Sequence, residues 1–248
     1  LLGNALGGYT LTATSSLGIS AASSTLLTDQ NTFSGTTTIS NAINIGQAVV
    51  IQSNGNRKIF TATSSNASGM GYTVKRAFNY ATAGDTIEVG PGTYNVTGIW
   101  KNGVTWYFHP GAVIDATDGV IFDDNFAYAS TTIGGYGKFK SDLYNIISMN
   151  NSASYISVHA EEMRTTTGAN SPLQSSTGTA YLDVVTGIYS ETYDAVVLGS
   201  GTYRIKTNEM KGGDDWIEYD GGVDATIDIH LAENYPGATG GFCNDVTG

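Results

Sequence analysis

Apolar and polar residues alternate in short runs along most of this chain, with Gly, Pro and Asn between the runs. From Gly84 to Ile114 it reads GDTIEVGPGTYNVTGIWKNGVTWYFHPGAVI. Ile87 and Val89 flank Glu88, and Trp106 and Phe108 flank Tyr107, so each run has one apolar and one polar side, as a half-buried strand requires. The runs return after about 20 residues, a period that predicts stacked turns of a solenoid. Further along, ISVHAEEM (156–163), LDVVTGIY (182–189), YRIKTNEM (203–210) and IDIHLAEN (227–234) align with Val158, Val184, Ile205 and Ile229 in one column, at spacings of 26, 21 and 24. DAVVL (194–198) and DWIEY (215–219) form a second column, 21 apart, the same shift as Val184 to Ile205. Two columns sharing one shift predict a repeating turn. Roughly seven turns between residues 85 and 246, stacked at ~4.8 Å, give a coil on the order of 35 Å long.

The pattern changes at two places. Within YTVKRAFNYA (72–81), Val74, Ala77 and Phe78 fall at i, i+3 and i+4, which predicts a short helix that caps the first turn. Residues 1 to about 68 are rich in Ser, Thr and Gly, with isolated apolar positions that can hardly bury a core alone. Their short alternating pieces, Thr36 to Ile45 and Ala48 to Ile51, form strands only beside strands of the following domain or of neighbouring subunits. The expected division is an extended shaft or oligomerisation segment over 1–68 and a coil over 69–248.

GDTIEVGPGTY and GVTWYFHPGAVI resemble the opening turns of pectate-lyase-like, right-handed parallel β-helix proteins. The resemblance implies an all-β solenoid with a capping helix near its start. TLTATSSLGIS and NTFSGTTTISNAINIG resemble shaft segments of phage tail fibres, tailspikes and related bacterial appendages. That second resemblance implies a homotrimer at a virion surface or outside the cell. The scaffold hosts lyases, hydrolases, spikes and inert stalks alike, so it does not itself assign an activity.

Composition narrows the choices. Charged residues are 13% and Gly numbers 32 among 248, too few charges for long amphipathic helices. A net charge of −11 with eleven scattered Lys and Arg excludes nucleic acid as a partner and leaves a neutral glycan or a cationic surface. Cys243 is the only cysteine, so neither an intrachain disulfide nor a thiolate metal cage forms. No run of 18 apolar residues occurs, and no membrane insertion is expected.

The candidate chemistry is sparse. GGDDWIEYDGG (212–222) follows RIKT (204–207), and Asp214, Asp215, Arg204 and Lys206 resemble the Asp pair and Arg-x-Lys of polygalacturonases. Inverting hydrolysis needs two carboxylates about 6.5–9.5 Å apart. The order here is reversed and Gly-His-Gly is missing, so no catalytic residue is favoured. Asp214 and Asp215 are the carboxylates of the enzyme alternative. Asp115, Asp118, Asp123 and Asp124 lie within ten residues and offer hard oxygens for a weak Ca²⁺ site, without the spacing of an EF-hand loop. No cofactor is implied. His159 and His230 are expected in one outward slot three turns apart, too far to share a zinc ion. Aromatic residues remain: Tyr155, Tyr181 and Ala225 align one position before the shared strand. Trp216, which takes the column position of Ala195, is expected at a rim and is the first choice for a contact residue, with Tyr193 and Tyr219 beside it. The favoured function is a rigid, adhesive rod that displays a host- or glycan-binding surface. The alternatives are a polysaccharide depolymerase on the same scaffold and a bacterial surface filament assembled head to tail.

Overall fold

The structure is a computed structural model that describes residues 2, 3, 9, 10, 45–125, 127–168, 170–234 and 243–245. The chain divides into two compact units, Leu1–Ala42 and Ile43–Gly248. In the first, β1 (Leu2–Gly3) pairs antiparallel with β2 (Tyr9–Thr10). The other shaft pieces read from the sequence before Ile45 lie outside the described residues.

The second unit is a β-solenoid of about six turns, and its described residues lie mostly in strands. Its short strands follow the alternation directly: β5 (Thr86–Val89), β6 (Gly92–Tyr94), β7 (Val104–Phe108), β8 (Ala112–Ala116), β9 (Phe122–Asp123), β10 (Ser130–Gly135), β11 (Lys138–Ser141) and β12 (Ile147–Met149). Later turns run through their corners as long, bent strands: β13 (Tyr155–Thr165), β14 (Leu173–Ser190), β15 (Val196–Gly212) and β16 (Ile217–Asn234), with β17 (Cys243–Asp245) starting the next turn. Parallel pairing sorts them into three ladders, here faces A, B and C. Face A runs from β5 through β7 and β10 to residues 155–160, 179–184, 202–207 and 224–229. Face B follows each face A strand, and face C completes the turn.

Inward positions stack into apolar columns. On face A the column is Ile87, Trp106, Ile133, Val158, Leu182 and Ile205, all buried. On face B it is Tyr94, Ile114, Phe139, Met163, Ile188 and Met210, and on face C Phe122, Ile147, Leu173, Val196 and Ile217. Each such side chain contributes roughly 1.5–3 kcal/mol by leaving water.

Register departs from the sequence alignment by two residues. Val158 pairs with Leu182, and Ile205 with Leu182 and Ile227, whereas Val184 pairs with Ala160 and Thr207. A shift of two keeps every side chain on its side of the sheet, so the inward and outward assignments survive. The 21-residue shift between DAVVL and DWIEY stands, with Val196 on Ile217. Tyr155 and Tyr181 consequently do not share a slot, since they pair with Thr179 and Ser157; their rings meet diagonally at 5.5 Å.

The first turn is closed from its N-terminal side. β3 (Gln47–Ile51) pairs antiparallel with β5 and with β4 (Arg57–Thr61), so residues 47–61 belong to the coil unit and not to a separate shaft segment. Helix α1 (Ala67–Tyr80) begins at Asn66, whose side chain accepts the Gly69 N–H at 2.7 Å. It buries Met70, Val74 and Ala77, while Phe78 stacks on Trp106 at 6.3 Å. Gly71 lets the helix backbone touch the first turn, because a Cβ there would lie 1.8 Å from the Asn95 carbonyl oxygen. Lys75 Nζ donates to the Thr97 and Gly98 carbonyls, and Lys101 Nζ to that of Phe78.

Outward positions of face B form a charged ladder. Lys138 pairs with Glu161 at 2.9 Å, Arg164 with Glu162 at 2.8 Å and Glu191 at 3.0 Å, and Lys211 with Glu209 at 2.8 Å and Glu233 at 3.2 Å. Tyr189 lies among them under the Arg164 guanidinium, 4.4 Å from it, and donates to Glu209 Oε2 at 2.7 Å. Its ring covers Gly187, where a Cβ would fall 2.3 Å from the phenol oxygen. Burial, together with Glu209, raises the phenol pKa, and Lys211 and Tyr189 hold the Glu209 carboxyl below its usual range.

Candidate binding face

Face A carries its outward residues differently. Two slots repeat along it: Thr86, Thr105, Thr132, Ser157, Tyr181, Arg204 and Thr226 in one, and His159, Asp183, Lys206 and Asp228 in the other. Across the last four turns they line a groove of ≈ 520 Å³, which a hollow of ≈ 300 Å³ extends toward Val185, Asn208 and His230. The strand backbone fixes the spacing of these side chains, so the groove is a property of the ladder.

Its electrostatics are balanced. His159 Nδ1 lies 3.1 Å from Asp183 Oδ2, and the Arg204 guanidinium 3.5 Å from Asp224 Oδ1. Lys206 stands in register between Asp183 and Asp228. Tyr136 meets the His159 ring edge-on at 5.4 Å, and Tyr155 does the same to Tyr181. Tyr181 nevertheless leaves 39% of its surface in solvent. The arrangement offers one aromatic face and a set of planar donors and acceptors, which is what a sugar ring with its hydroxyls requires.

The residues singled out from sequence fall mainly elsewhere. Arg204 and Lys206 are outward on face A. Asp214 and Asp215 lie in the corner that leads to face C, so the structure separates the two halves of the polygalacturonase-like set. Asp215 is buried, its N–H donating to Asp194 Oδ1 at 2.8 Å and its carbonyl accepting from Ala195. Trp216 and Tyr219 are partly buried and packed on the core, and Trp216 does take the position of Ala195 one turn on. The Tyr193 phenol reaches Glu218 Oε2 at 3.5 Å. None of these three aromatics lines the groove: Tyr193 and Trp216 belong to the corner before face C, and Tyr219 to the face C strand itself.

The four aspartates near residue 120 have separate duties. Asp115 pairs across the ladder with Lys140, and Asp118 lines a hollow with Tyr72 and Lys75. Asp123 accepts the Asn125 N–H, and buried Asp124 accepts those of Asn150 and Asn151, tying two turns together. Among the described residues no group of three or more His, Cys, Asp or Glu is placed to hold a metal ion, and no helix is long and apolar enough to cross a membrane. His230 sits two positions beyond the slot of His159, which Asp228 occupies. The His159–Asp183 contact and the Tyr181–Arg204 neighbourhood are absent from the sequence reading, and only the true register brings them together.

No protein-family model, curated protein or solved structure matches the chain.

Proposed function

We propose that this protein is a rigid β-solenoid rod of an extracellular or virion-surface appendage, and that face A binds a neutral glycan. The observation that carries the reading is the face A groove, where exposed Tyr181 lies among paired charges of both signs. A neutral sugar loses little on entering such a groove, because Arg204, Lys206, Asp183 and Asp228 exchange water for hydroxyl groups while the ring stacks on Tyr181. Parallel ladders supply the stiffness, since every turn hydrogen-bonds to the next along the axis. Closure of the first turn by α1 and the β3–β4 hairpin of the same chain favours a rod with one sealed end over a filament stacked turn upon turn.

A panel of immobilised neutral and acidic oligosaccharides tests this reading, with titration calorimetry on any hit. Binding of a neutral glycan that Tyr181→Ala weakens about tenfold supports it. Binding that persists in Tyr181→Ala but fails in Trp216→Ala would move the site to the face C corner. Release of shortened oligosaccharides during incubation would favour the depolymerase. Self-association as a trimer belongs to the same proposal, and sedimentation equilibrium on the full chain checks it.

A further inference from the structure

The corner slot two residues before the face C strand recurs as Asn145, Ser171, Asp194 and Asp215, because Ile147, Leu173, Val196 and Ile217 stack in register. In two turns this slot makes the same staple. Asn145 Oδ1 accepts the Ser171 N–H at 2.9 Å, and Asp194 Oδ1 accepts the Asp215 N–H at 2.8 Å. The second atom of Asn145 reaches the face C strand of the next turn, Nδ2 donating to Gln174 Oε1. Asp194 and Glu218 occupy the same two slots two turns later, which sets their carboxyls against each other. Gln174 and Glu218 hold one strand position, each directly after the stacked residues Leu173 and Ile217.

The later corner is therefore the earlier one with both amides replaced by acids. An amide brings its own N–H donor, whereas two carboxylates bond only with a proton between them. The surroundings favour keeping that proton. Asp194 is 3% exposed, and the charges acting on it, Glu218 and Asp215, are both acidic. Tyr193 approaches Glu218 through its phenol, Asp214 acts on Tyr193, and β17 brings Asn244 and Asp245 into register with Glu218 and Tyr219. Burial, and after it Glu218, pushes the Asp194 pKa up to about 7.

We propose that Asp194 and Glu218 share one proton and form a latch that ties β15 to β16 in mild acid and slackens as the medium turns neutral. The sign follows from linkage. The closed corner holds a proton that the opened chain releases above the ordinary aspartate range. Closure is therefore fully favoured below about pH 4 and weakens by up to roughly tenfold per pH unit until about pH 7. The Asn145–Gln174 corner has the same geometry and no such proton, so it is an internal reference.

The test is amide hydrogen exchange on the full chain at pH 5 and pH 8, corrected for the intrinsic rate. It is read at residues 195–197 and 215–219 against 145–149 and 171–175. The readout is local, so groups outside the two corners do not enter it. The latch predicts a loss of protection of tens- to about a hundredfold at the acidic corner and little change at the amide corner. Asp194→Asn with Glu218→Gln rebuilds the amide pair and should abolish the difference. Equal pH response at the two corners of the wild-type chain overturns the proposal, and so does an unchanged response in the double variant. If that variant does not fold, the wild-type comparison decides alone.

Discussion

Faces A and B are parallel ladders of the same kind whose outward slots are filled in opposite ways. On face B the outward slots are filled by Lys138, Arg164 and Lys211 with their glutamates, and Tyr189 lies beneath them, only 5% exposed. On face A the outward slots carry Tyr181, Arg204 and Lys206, which line an open groove. The coil thus closes one side with ion pairs and leaves an open groove on another. Because each slot recurs at every turn, the residues chosen for it at successive turns together set the character of a whole strip.

Tyr189→Ala is the strongest way to break the contrast. It removes a buried ring that Arg164, Glu209 and Gly187 enclose, and should cost about 3–4 kcal/mol in urea denaturation while leaving glycan binding on face A intact. Acidification comes next. Asp85 accepts N–H groups from Thr82 and Ser53, and its carboxyl, like that of Glu209, is held below the usual range. Both groups stabilise the fold above the ordinary carboxylate range and lose that contribution as pH falls through their lowered values. Glu209→Gln should remove about 1–2 kcal/mol of the acid sensitivity seen in denaturation at pH 3 against pH 6. Tyr181→Ala sharpens the comparison from the other side. Its stability should change by less than about 1 kcal/mol, while its affinity for the glycan falls about tenfold. The smallest effect is that of salt: raising NaCl to about 1 M should shift the denaturation midpoint by under about 1 kcal/mol, since the face B pairs are partly solvated.

Alternation along the sequence was enough to assign the coil, its capping helix and the side on which each residue points. Arg204 and Lys206 were legible as outward, and Val74 and Ala77 as a buried stripe. Register was not legible along face A, because a shift of two residues preserves alternation and only the corners decide between shifts. The irregularities between Ala160 and Glu162 and between Val184 and Gly187 are such corners, and no apolar column marks them. The shift of 21 was readable because Asp194 and Asp215 make one corner bond in common. The groove depends on Tyr181 lying beside Arg204, a contact between turns, and so stayed hidden. The Asp194–Glu218 pair was hidden for the same reason, although its amide counterpart lies two turns earlier.

The sealed end also has a direction in time. Helix α1 and the β3–β4 hairpin precede the turns they cover, so during synthesis they leave the ribosome first. Their mutual contacts are local, and closing them needs no distant partner. A finished edge at β5 then awaits the strand that follows, and each new turn lays down the template for its successor. The cap is the seed from which the coil grows in one direction.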